Sequence, residues 1–267
     1  MIFFEQAPTP LLRPWVKSLW YCNAQRMPCR RERVLPNGCA QIVISLSSHD
    51  LNYGEIDGSA SEKHSRAVVM GVRDQFQIID TAGVEELAGI VIRPGGFTGL
   101  FNERADLLFR QSAALEDVWR GTQVAADVSN LQTPIQKLRH LDEELSRLVQ
   151  ARSHRSEIAN YAVHLFRNKG LSVSKCAHSI GISERWLSQI FREEVGIAPR
   201  LWCRIQRFQD ITRSLRDGTK VPLADLASSC GYYDQSHFAN DFRAFAGLDA
   251  TAYAAQTGRC QNHISES

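Results

Sequence analysis

A stretch of this sequence occurs twice, and the repeat decides how the C-terminal half folds. Residues 177–196 read AHSIGISERWLSQIFREEVG, and residues 227–247 read ASSCGYYDQSHFANDFRAFAG. Ala177 and Gly181 of the first copy recur as Ala and Gly 50 residues on, and the second turn holds one residue more than the first. Each copy therefore predicts a helix, a tight turn at glycine and a second helix with a capping residue before it.

Each repeated residue type has a physical role in such a helix pair. A small Ala lets the two helices cross closely, and a Gly in the turn adopts a positive φ that a β-carbon would resist. Apolar residues four apart hold the second helix to the core. The opposite face of that helix is then free, as in a helix-turn-helix whose second helix enters the major groove of DNA. The apolar pairs are Leu187 with Phe191 and Phe238 with Phe242.

The free faces of the two second helices carry side chains that suit the edges of bases. Gln and Asn match adenine, Arg matches guanine, and Ser pairs with either. One glycine-turned helix pair is weak evidence, but two in tandem favour DNA binding over a plain helical repeat array, which would need further copies. The side chains are Glu184, Arg185, Ser188, Gln189 and Arg192 in the first copy, and Gln235, Ser236, His237, Ala239, Asn240 and Arg243 in the second.

The same residues closely resemble the two motifs of AraC/XylS-type regulators. The first motif corresponds to residues 171–196, and the second, which is the family's signature, to residues 230–247. The resemblance covers residues 156–256 and implies a bacterial transcription factor. It also implies two helix-turn-helix units joined by a long helix, which read successive major grooves on one face of a promoter. Double-stranded promoter DNA and RNA polymerase are the implied partners.

The resemblance further implies which side chains contact DNA. Gln189 and Asn240 stand where many members of the family have Arg or Lys, so two cations are missing from the expected interface. Ala250 replaces a usual Pro and Ile211 a usual Ala, changes that leave the fold secure. By position in the motifs, the base-reading residues are Arg185, Ser188, Gln189, Gln235, Ser236 and Asn240. Arg192, Arg243 and His237 lie on the same exposed faces, and the two arginines are candidates for phosphate contacts.

The N-terminal half has the pattern of short β-strands. Apolar, β-branched runs at residues 40–46, 68–72 and 87–92 are separated by turn residues at 36–38, 57–59 and 82–83. Within the first run, apolar residues alternate with Gln41, Val43 and Ser45, so at least one face is apolar. We expect a small antiparallel β barrel or sandwich, followed by helices after Arg93-Pro94-Gly95-Gly96. The fold class is α+β, with an all-α C-terminal domain.

An amphipathic helix is expected between Thr133 and Arg152. Its apolar residues recur at spacings of three and four, with charged residues on the other face. The four leucines suit either a short coiled-coil seam between two subunits, which would make a homodimer, or packing of the helix on the chain's own β domain. The apolar residues are Ile135, Leu138, Leu141, Leu145 and Leu148.

These patterns divide the chain into four parts. Residues 1–130 form a β-rich domain for effector sensing or dimerisation, and residues 131–154 an amphipathic helix and linker. Residues 155–257 form the tandem helix-turn-helix domain, and residues 258–267 a C-terminal tail.

The N-terminal part also resembles, less specifically, a domain often joined to this DNA-binding unit, which implies an effector-sensing role without naming a ligand. Aromatic rings and arginines could form an apolar pocket with a cationic anchor for an acidic metabolite. The alternative is that the aromatic rings are plain core and the arginines satisfy strand ends. The candidate residues are Trp15, Trp20, Tyr21, Arg33, Phe76 and Arg93.

Composition narrows the function classes. The 267 residues carry a net charge of +2, which divides into −1 for residues 1–154 and +3 for residues 155–267. Seven cysteines, an odd number, argue against a disulfide framework, and their spacing lacks that of a zinc site. The sequence shows no export signal and no apolar run of membrane length, so we expect a cytoplasmic protein. No enzyme motif or cofactor motif stands out.

The sequence therefore predicts a sequence-specific DNA-binding transcription factor, with a small-molecule effector as a further possibility. The alternative, suggested by the small charge excess, is a ligand-binding or protein-interaction module whose helical half no longer binds DNA.

Overall fold

The computed structural model describes most of the chain. The described residues are 2–23, 31–47, 51–54, 62–63, 66–80, 85–151, 157–218, 221–256 and 262–266. The turns expected at 57–59 and 82–83 and the end of the expected linker, residues 152–154, lie outside the described residues.

The N-terminal part contains two antiparallel sheets, as the strand pattern predicted. The strands of the described residues are β1 (Ile2–Gln6), β2 (Val16–Asn23), β3 (Arg31–Val34), β4 (Gln41–Ser45), β5 (Asn52–Gly54), β6 (Glu62–Lys63), β7 (Ala67–Met70), β8 (Gln77–Asp80), β9 (Glu86–Ile92), β10 (Ser112–Ala114) and β11 (His263–Glu266). One sheet has the order β1-β2-β9-β4-β7-β10, and the other has the order β11-β3-β8-β5-β6. The first two strands have no counterpart in the sequence prediction.

The central strand β4 is buried on both faces. Ile42 and Ile44 are fully buried in the main core of the molecule. Val43 points to the other face, where it packs with Val68 and Met70 in a second, smaller cluster. The sequence predicted at least one apolar face for this strand. The second cluster explains why Val43, between the two isoleucines, is also apolar.

Helices follow β9 and cover one side of the sheets. They are α1 (Gly96–Phe101), α2 (Leu115–Val118), α3 (Val124–Asn130) and α4 (Pro134–Ala151), with a 3₁₀ turn at Ala105–Leu108 between α1 and α2. α4 packs on α1, α3 and β2. Leu138, Leu141 and Leu145 are therefore completely buried inside their own chain. Three of the four leucines that would form the coiled-coil seam are covered and Leu148 is half-buried, so α4 packs on its own chain instead of forming that seam.

The C-terminal part is helical. Its helices are α5 (Glu157–Lys169), α6 (Val173–Ile180), α7 (Glu184–Val195), α8 (Pro199–Arg216), α9 (Leu223–Ser229), α10 (Gln235–Ala246) and α11 (Ala250–Ala255). On α5, the small Ala159 and Ala162 face the core, and Tyr161 between them is exposed. α11 was not predicted. Among the described residues, no helix is long and apolar enough to cross a membrane.

The last segment of the chain returns to the N-terminal part. β11 pairs antiparallel with β3, so that Ile264 lies opposite Arg33. The Nδ1 atom of His263 lies 2.8 Å from Oε2 of the buried Glu32. The region expected as a tail thus contributes an edge strand, which a four-residue alternation is too short to reveal.

The long helix α8 contacts the turn that follows β3. Trp202 Nε1 donates a hydrogen bond to the carbonyl of Gly38 at 3.2 Å, and Gln209 Nε2 donates one to the carbonyl of Pro36 at 2.8 Å. Between them, Gln206 Nε2 donates to the carbonyl of Asn37 at 3.1 Å. One face of α8 therefore binds successive carbonyls of the turn 36–38.

Candidate nucleic-acid interface

The turns of the two repeated helix pairs have the same backbone geometry. Gly181 and Gly231 both adopt a φ of +82°. In each pair the residue after the glycine donates its amide hydrogen to the carbonyl of the repeated Ala, at 3.0 Å from Ile182 and 3.0 Å from Tyr232. These bonds satisfy the last carbonyls of the first helix. The positive φ predicted for both glycines is confirmed.

The second helices, α7 and α10, begin at the predicted caps. The Oγ atom of Ser183 accepts a hydrogen bond from the amide of Trp186 at 3.2 Å. A carboxylate oxygen of Asp234 accepts one from the amide of His237 at 2.7 Å. Each cap satisfies an otherwise unpaired amide of the first turn, which fixes where the exposed face of the helix begins.

The apolar faces of α7 and α10 pack on α8. The ring of Phe191 meets the ring of Trp202 edge-on, with centroids 5.9 Å apart. The ring of Phe242 meets that of Phe208 in the same way at 5.1 Å. Because both second helices pack on one continuous helix, the two helix-turn-helix units are held in a defined relative position.

The residues expected to contact DNA lie on the outer faces of these two helices. Most of the side chains are exposed, and Ser188 and His237 are half-buried. Gln189 Nε2 donates to a carboxylate oxygen of Glu193 at 3.3 Å, one turn along α7. The exposed residues are Arg185, Gln189, Arg192, Gln235, Ser236, Asn240 and Arg243.

The C-terminal end of α7 lies against the N-terminal part. Glu193 is 3.5 Å from Arg104, and Arg104 also binds both carboxylate oxygens of Asp106. Those hydrogen bonds lower the pKa of Asp106, and the positive charge of Arg192 lowers it further. Arg192 therefore lies close to an acidic group of the N-terminal part, whereas the first turns of α7 are open.

A buried ion pair positions α10. Asp241 is 2% exposed, and its carboxylate accepts hydrogen bonds from Arg204 of α8 at 2.5 and 3.2 Å. His237, one turn earlier, lies 3.9 Å from the same carboxylate, and its ring contacts that of Tyr232. The sequence analysis missed this pair, because its partners are 37 residues apart and no local pattern links them.

Two exposed aromatic side chains were also missed. Trp186, in the first turn of α7, is 51% exposed, and Tyr233, in the turn before α10, is 95% exposed. Each lies beside a residue expected to contact DNA or to cap the helix. The available signals in the sequence were the position of Trp186 off the buried stripe of α7 and the position of Tyr233 in the turn.

The side chains expected to form an effector pocket do not converge, as β2 shows first. Trp20 stacks on the ring of Phe3 with centroids 6.3 Å apart. Tyr21 is the next residue and points to the other face of the sheet, where its hydroxyl donates to Glu86 at 2.8 Å. Burial, together with that bond, raises the pKa of Tyr21 to about 12. The alternation of a strand separates these two rings.

The other four residues form two further groups. Arg93 donates its amide hydrogen to the carbonyl of Trp15 at 2.7 Å, in a strand-end arrangement. Arg33 lies over the ring of Phe76, 4.7 Å from its centroid, and donates to the carbonyl of Gly247 at 3.1 Å. Arg33 and Phe76 therefore contact the end of α10 and link the two parts of the chain.

The described cysteines are free thiols, and burial keeps several of them neutral. Desolvation raises the pKa of Cys39, and it raises that of Cys203 to about 11. Within the described part of the chain, no group of three or more His, Cys, Asp or Glu side chains could hold a metal ion.

Comparisons with known proteins match both parts of the chain. Residues 176–256 match a helix-turn-helix domain, and residues 5–114 match a domain of unknown function, DUF6597. The chain is 23% identical over 110 residues to the arabinose operon regulatory protein of Escherichia coli K12, covering 41% of this chain and 36% of that protein. It is 27% identical over 96 residues to the probable transcriptional regulator LumQ of Photobacterium leiognathi, covering 36% and 38%.

The chain thus spans little more than a third of the length of these curated relatives. Among solved structures, fatty-acid-bound ToxT of Vibrio cholerae aligns with 99% of this chain and 98% of its own, at a TM-score of 0.49 and 10% identity.

Matched turns, caps and outward polar faces define a tandem helix-turn-helix protein. The domain match and the named relatives narrow this class: the C-terminal part of the chain is similar to the helix-turn-helix domains of AraC-type regulators. The resemblance to AraC/XylS-type regulators that the sequence indicated is confirmed.

Proposed function

We propose that this chain binds double-stranded promoter DNA in a sequence-specific manner and regulates transcription from it. α7 and α10 enter successive major grooves, as the second helices of such units do. The observation that carries the proposal is the equivalence of the two units: the same glycine φ, the same side-chain cap and an exposed polar face in each. Arg185, Ser188, Gln189, Gln235, Ser236 and Asn240 read the bases.

The phosphate contacts in this proposal are few. Residues 155–267 carry a net charge of only +3. Arg192 and Arg243, exposed late in α7 and α10, meet the backbone. The slope of log affinity against log salt concentration is proportional to the number of phosphates neutralised. With few such contacts, we expect this slope to be shallow for a DNA-binding protein. Base contacts then supply a large share of the discrimination.

The named relatives support a regulatory role. One is named for the arabinose operon that it regulates, and the other is named as a probable transcriptional regulator. By analogy, RNA polymerase is a partner of this chain at its promoter, and the protein acts in the bacterial cytoplasm. The β-rich part supplies regulation by a small molecule.

The test uses the full chain and DNA flanking its own gene. Fluorescence anisotropy compares that DNA with a shuffled duplex of equal length and composition, and footprinting then locates the protected bases. We expect binding to the native fragment to be about a thousandfold tighter or more. Equal affinity for both duplexes at every salt concentration would instead identify a helical part that no longer reads DNA.

Matched variants separate base reading from phosphate binding. Arg185→Ala or Gln235→Ala is expected to cost about 1 to 3 kcal/mol and to relax preference at one position. Arg192→Ala is expected to weaken binding to all DNA sequences alike and to lower the slope of log affinity against log salt concentration by about 1. Arg120→Ala removes an equally exposed charge from the N-terminal part and serves as the control.

A further inference from the structure

The helix proposed to enter the first major groove carries a large apolar ring on its outer side. Trp186 is the third residue of α7, and it is 51% exposed. Aromatic side chains gain much of their interaction energy when they are buried, and Trp is enriched among the residues that dominate binding interfaces. The exposed part of this indole is therefore surface that a partner can cover.

The backbone that carries the ring has a defined position. The amide of Trp186 donates a hydrogen bond to Oγ of Ser183 at 3.2 Å, so the residue belongs to the capped first turn of α7. The next residue, Leu187, is completely buried and holds this turn to the core. In helix-turn-helix proteins, side chains near the N-terminus of the second helix are the ones that reach base edges. Trp186 lies in that region.

The ring has neighbours that are proposed to read bases. Arg185 precedes it and Gln189 follows three residues later, and both side chains are exposed. Residues three and four apart are neighbours on a helix surface, so Trp186 borders the same face. The N-terminal part meets α7 two turns further along, where Arg104 lies 3.5 Å from Glu193. DNA in contact with Arg185 and Gln189 therefore also approaches the indole.

The equivalent residue of the second unit has partners within the chain. His237 is the third residue of α10, and its amide is capped by Asp234 at 2.7 Å. Its ring meets that of Tyr232 edge-on, with centroids 5.3 Å apart, and its Nε2 atom lies 3.9 Å from the buried carboxylate of Asp241. The two units thus share a backbone geometry but differ in the chemistry of this position.

The surroundings of Trp186 are apolar where those of His237 are polar. The residue of α7 that corresponds to Asp241 is Ile190, which is half-buried and lies one turn after Trp186. Trp186 and Ile190 therefore form an apolar strip along one border of the reading face. The indole has a single N–H donor and no acceptor, so most of its surface suits an apolar partner.

The major groove offers one such partner. Each base pair presents hydrogen-bond donors and acceptors there, and thymine alone adds a methyl group, at C5. Apolar side chains read that methyl by direct contact. We propose that Trp186 contacts the C5-methyl group of a thymine in the groove that α7 enters, and that this contact gives the chain a preference for T·A at that position. The inference rests on the proposed DNA binding.

Deoxyuridine tests the contact, because it lacks the methyl group of thymine and keeps every hydrogen-bonding group. Anisotropy measures binding of the full chain to the footprinted native fragment, with each thymine replaced in turn. Within the block of bases that Arg185→Ala alters, we expect one replacement to weaken wild type about fourfold, the effect of one buried methyl group. No sensitive thymine in that block would overturn the proposal.

Variants of Trp186 connect that sensitivity to the ring. Trp186→Gln is expected to bind the native fragment about tenfold more weakly and to respond no further to the deoxyuridine. Trp186→Phe keeps an apolar ring without the N–H group and should remain sensitive to it. Equal sensitivity of wild type and Trp186→Gln, or a Phe variant that behaves like the Gln variant, would refute the methyl contact.

The control for the loss of an exposed ring is Phe3→Ala. Phe3 lies on β1 in the N-terminal part and is 50% exposed, close to the value for Trp186. This variant should bind both the native and the deoxyuridine fragment as wild type does. If it lost the sensitivity to deoxyuridine as Trp186→Gln does, the effect would not belong to α7, and the assignment would be wrong.

Tryptophan fluorescence gives an independent measurement. Trp186 is the most exposed of the five tryptophans. Quenching by acrylamide should fall when the native fragment saturates wild type, and Trp186→Phe should show no such fall. Unchanged quenching in wild type would refute the contact.

The outcomes separate this inference from the function on which it rests. Equal affinity of wild type for the native fragment and a shuffled duplex would refute sequence-specific DNA binding itself. Specific binding without a methyl-sensitive thymine that depends on Trp186 would leave the proposed function standing and refute only the role of the indole.

Discussion

Arg204 of α8 and Asp241 of α10 form a bidentate ion pair, with Nη2 2.5 Å from Oδ1, and the carboxylate is almost completely buried. Arg204 also lies over the ring of Phe245, 5.5 Å from its centroid. The pair thus joins the helix between the two units to the helix proposed to read the second groove. Because a bidentate bond has a preferred geometry, the pair constrains the orientation of α10 in addition to its apolar contacts.

Asp241→Asn is expected to lower the free energy of unfolding by about 2 kcal/mol, less than the loss of a fully buried pair because Arg204 is 41% exposed. Urea unfolding measures it. The control is Asp210→Asn, whose surface pairs with Arg167 and Arg213 should be worth less than about 1 kcal/mol. Equal losses for the two variants would show that the buried pair has no special role.

Two glycines with positive φ should differ in their tolerance of a β-carbon. At Gly181, apart from its chain neighbours, no atom of the described residues lies within 4 Å of the position that a Cβ would take, so Gly181→Ala costs only the backbone strain, about 1 to 2 kcal/mol. At Gly247 that carbon would lie 2.3 Å from the ring of Phe76. Gly247→Ala should therefore cost about 1 to 3 kcal/mol more, through overpacking. Denaturant midpoints of the two variants check this order, and a reversal would contradict the contact between α10 and Phe76.

The leucines of α4 should behave as core and not as a subunit interface. Leu141→Ala is expected to lower the free energy of unfolding by about 2 to 5 kcal/mol and to leave the oligomeric state unchanged. Ile135, at 56% exposed on the same helix, is the control, and Ile135→Ala should change stability by less than about 0.5 kcal/mol. Sedimentation and urea unfolding measure both quantities. If Leu141→Ala dissociated an oligomer, the leucines of α4 would form a subunit interface and the assignment to the core would be wrong.

Local signals in the sequence predicted the helical part well. Gly181 and Gly231 carry the turns, and Ser183 and Asp234 cap the following helices, because each of these requirements is met by a residue within a few positions. Runs of β-branched residues are also a local signal, so the presence of antiparallel sheets was predicted, but strands without such a run were missed.

Long-range relationships could not be predicted. Arg33 was expected in a ligand pocket, but it contacts the end of α10 more than two hundred residues away. Which face of α4 is covered likewise depends on tertiary packing, so periodicity alone could not choose between a seam and a core.

In the function proposed above, α7 and α10 read two successive grooves of the promoter. The most direct measurement is the affinity of wild type and Gln235→Ala for the footprinted fragment with each base pair replaced in turn. Wild type should show two blocks of sensitive positions about one helical turn apart, roughly 10 base pairs, and Gln235→Ala should relax a position in only one block. A single block, or uniform insensitivity across the fragment, would contradict the claim.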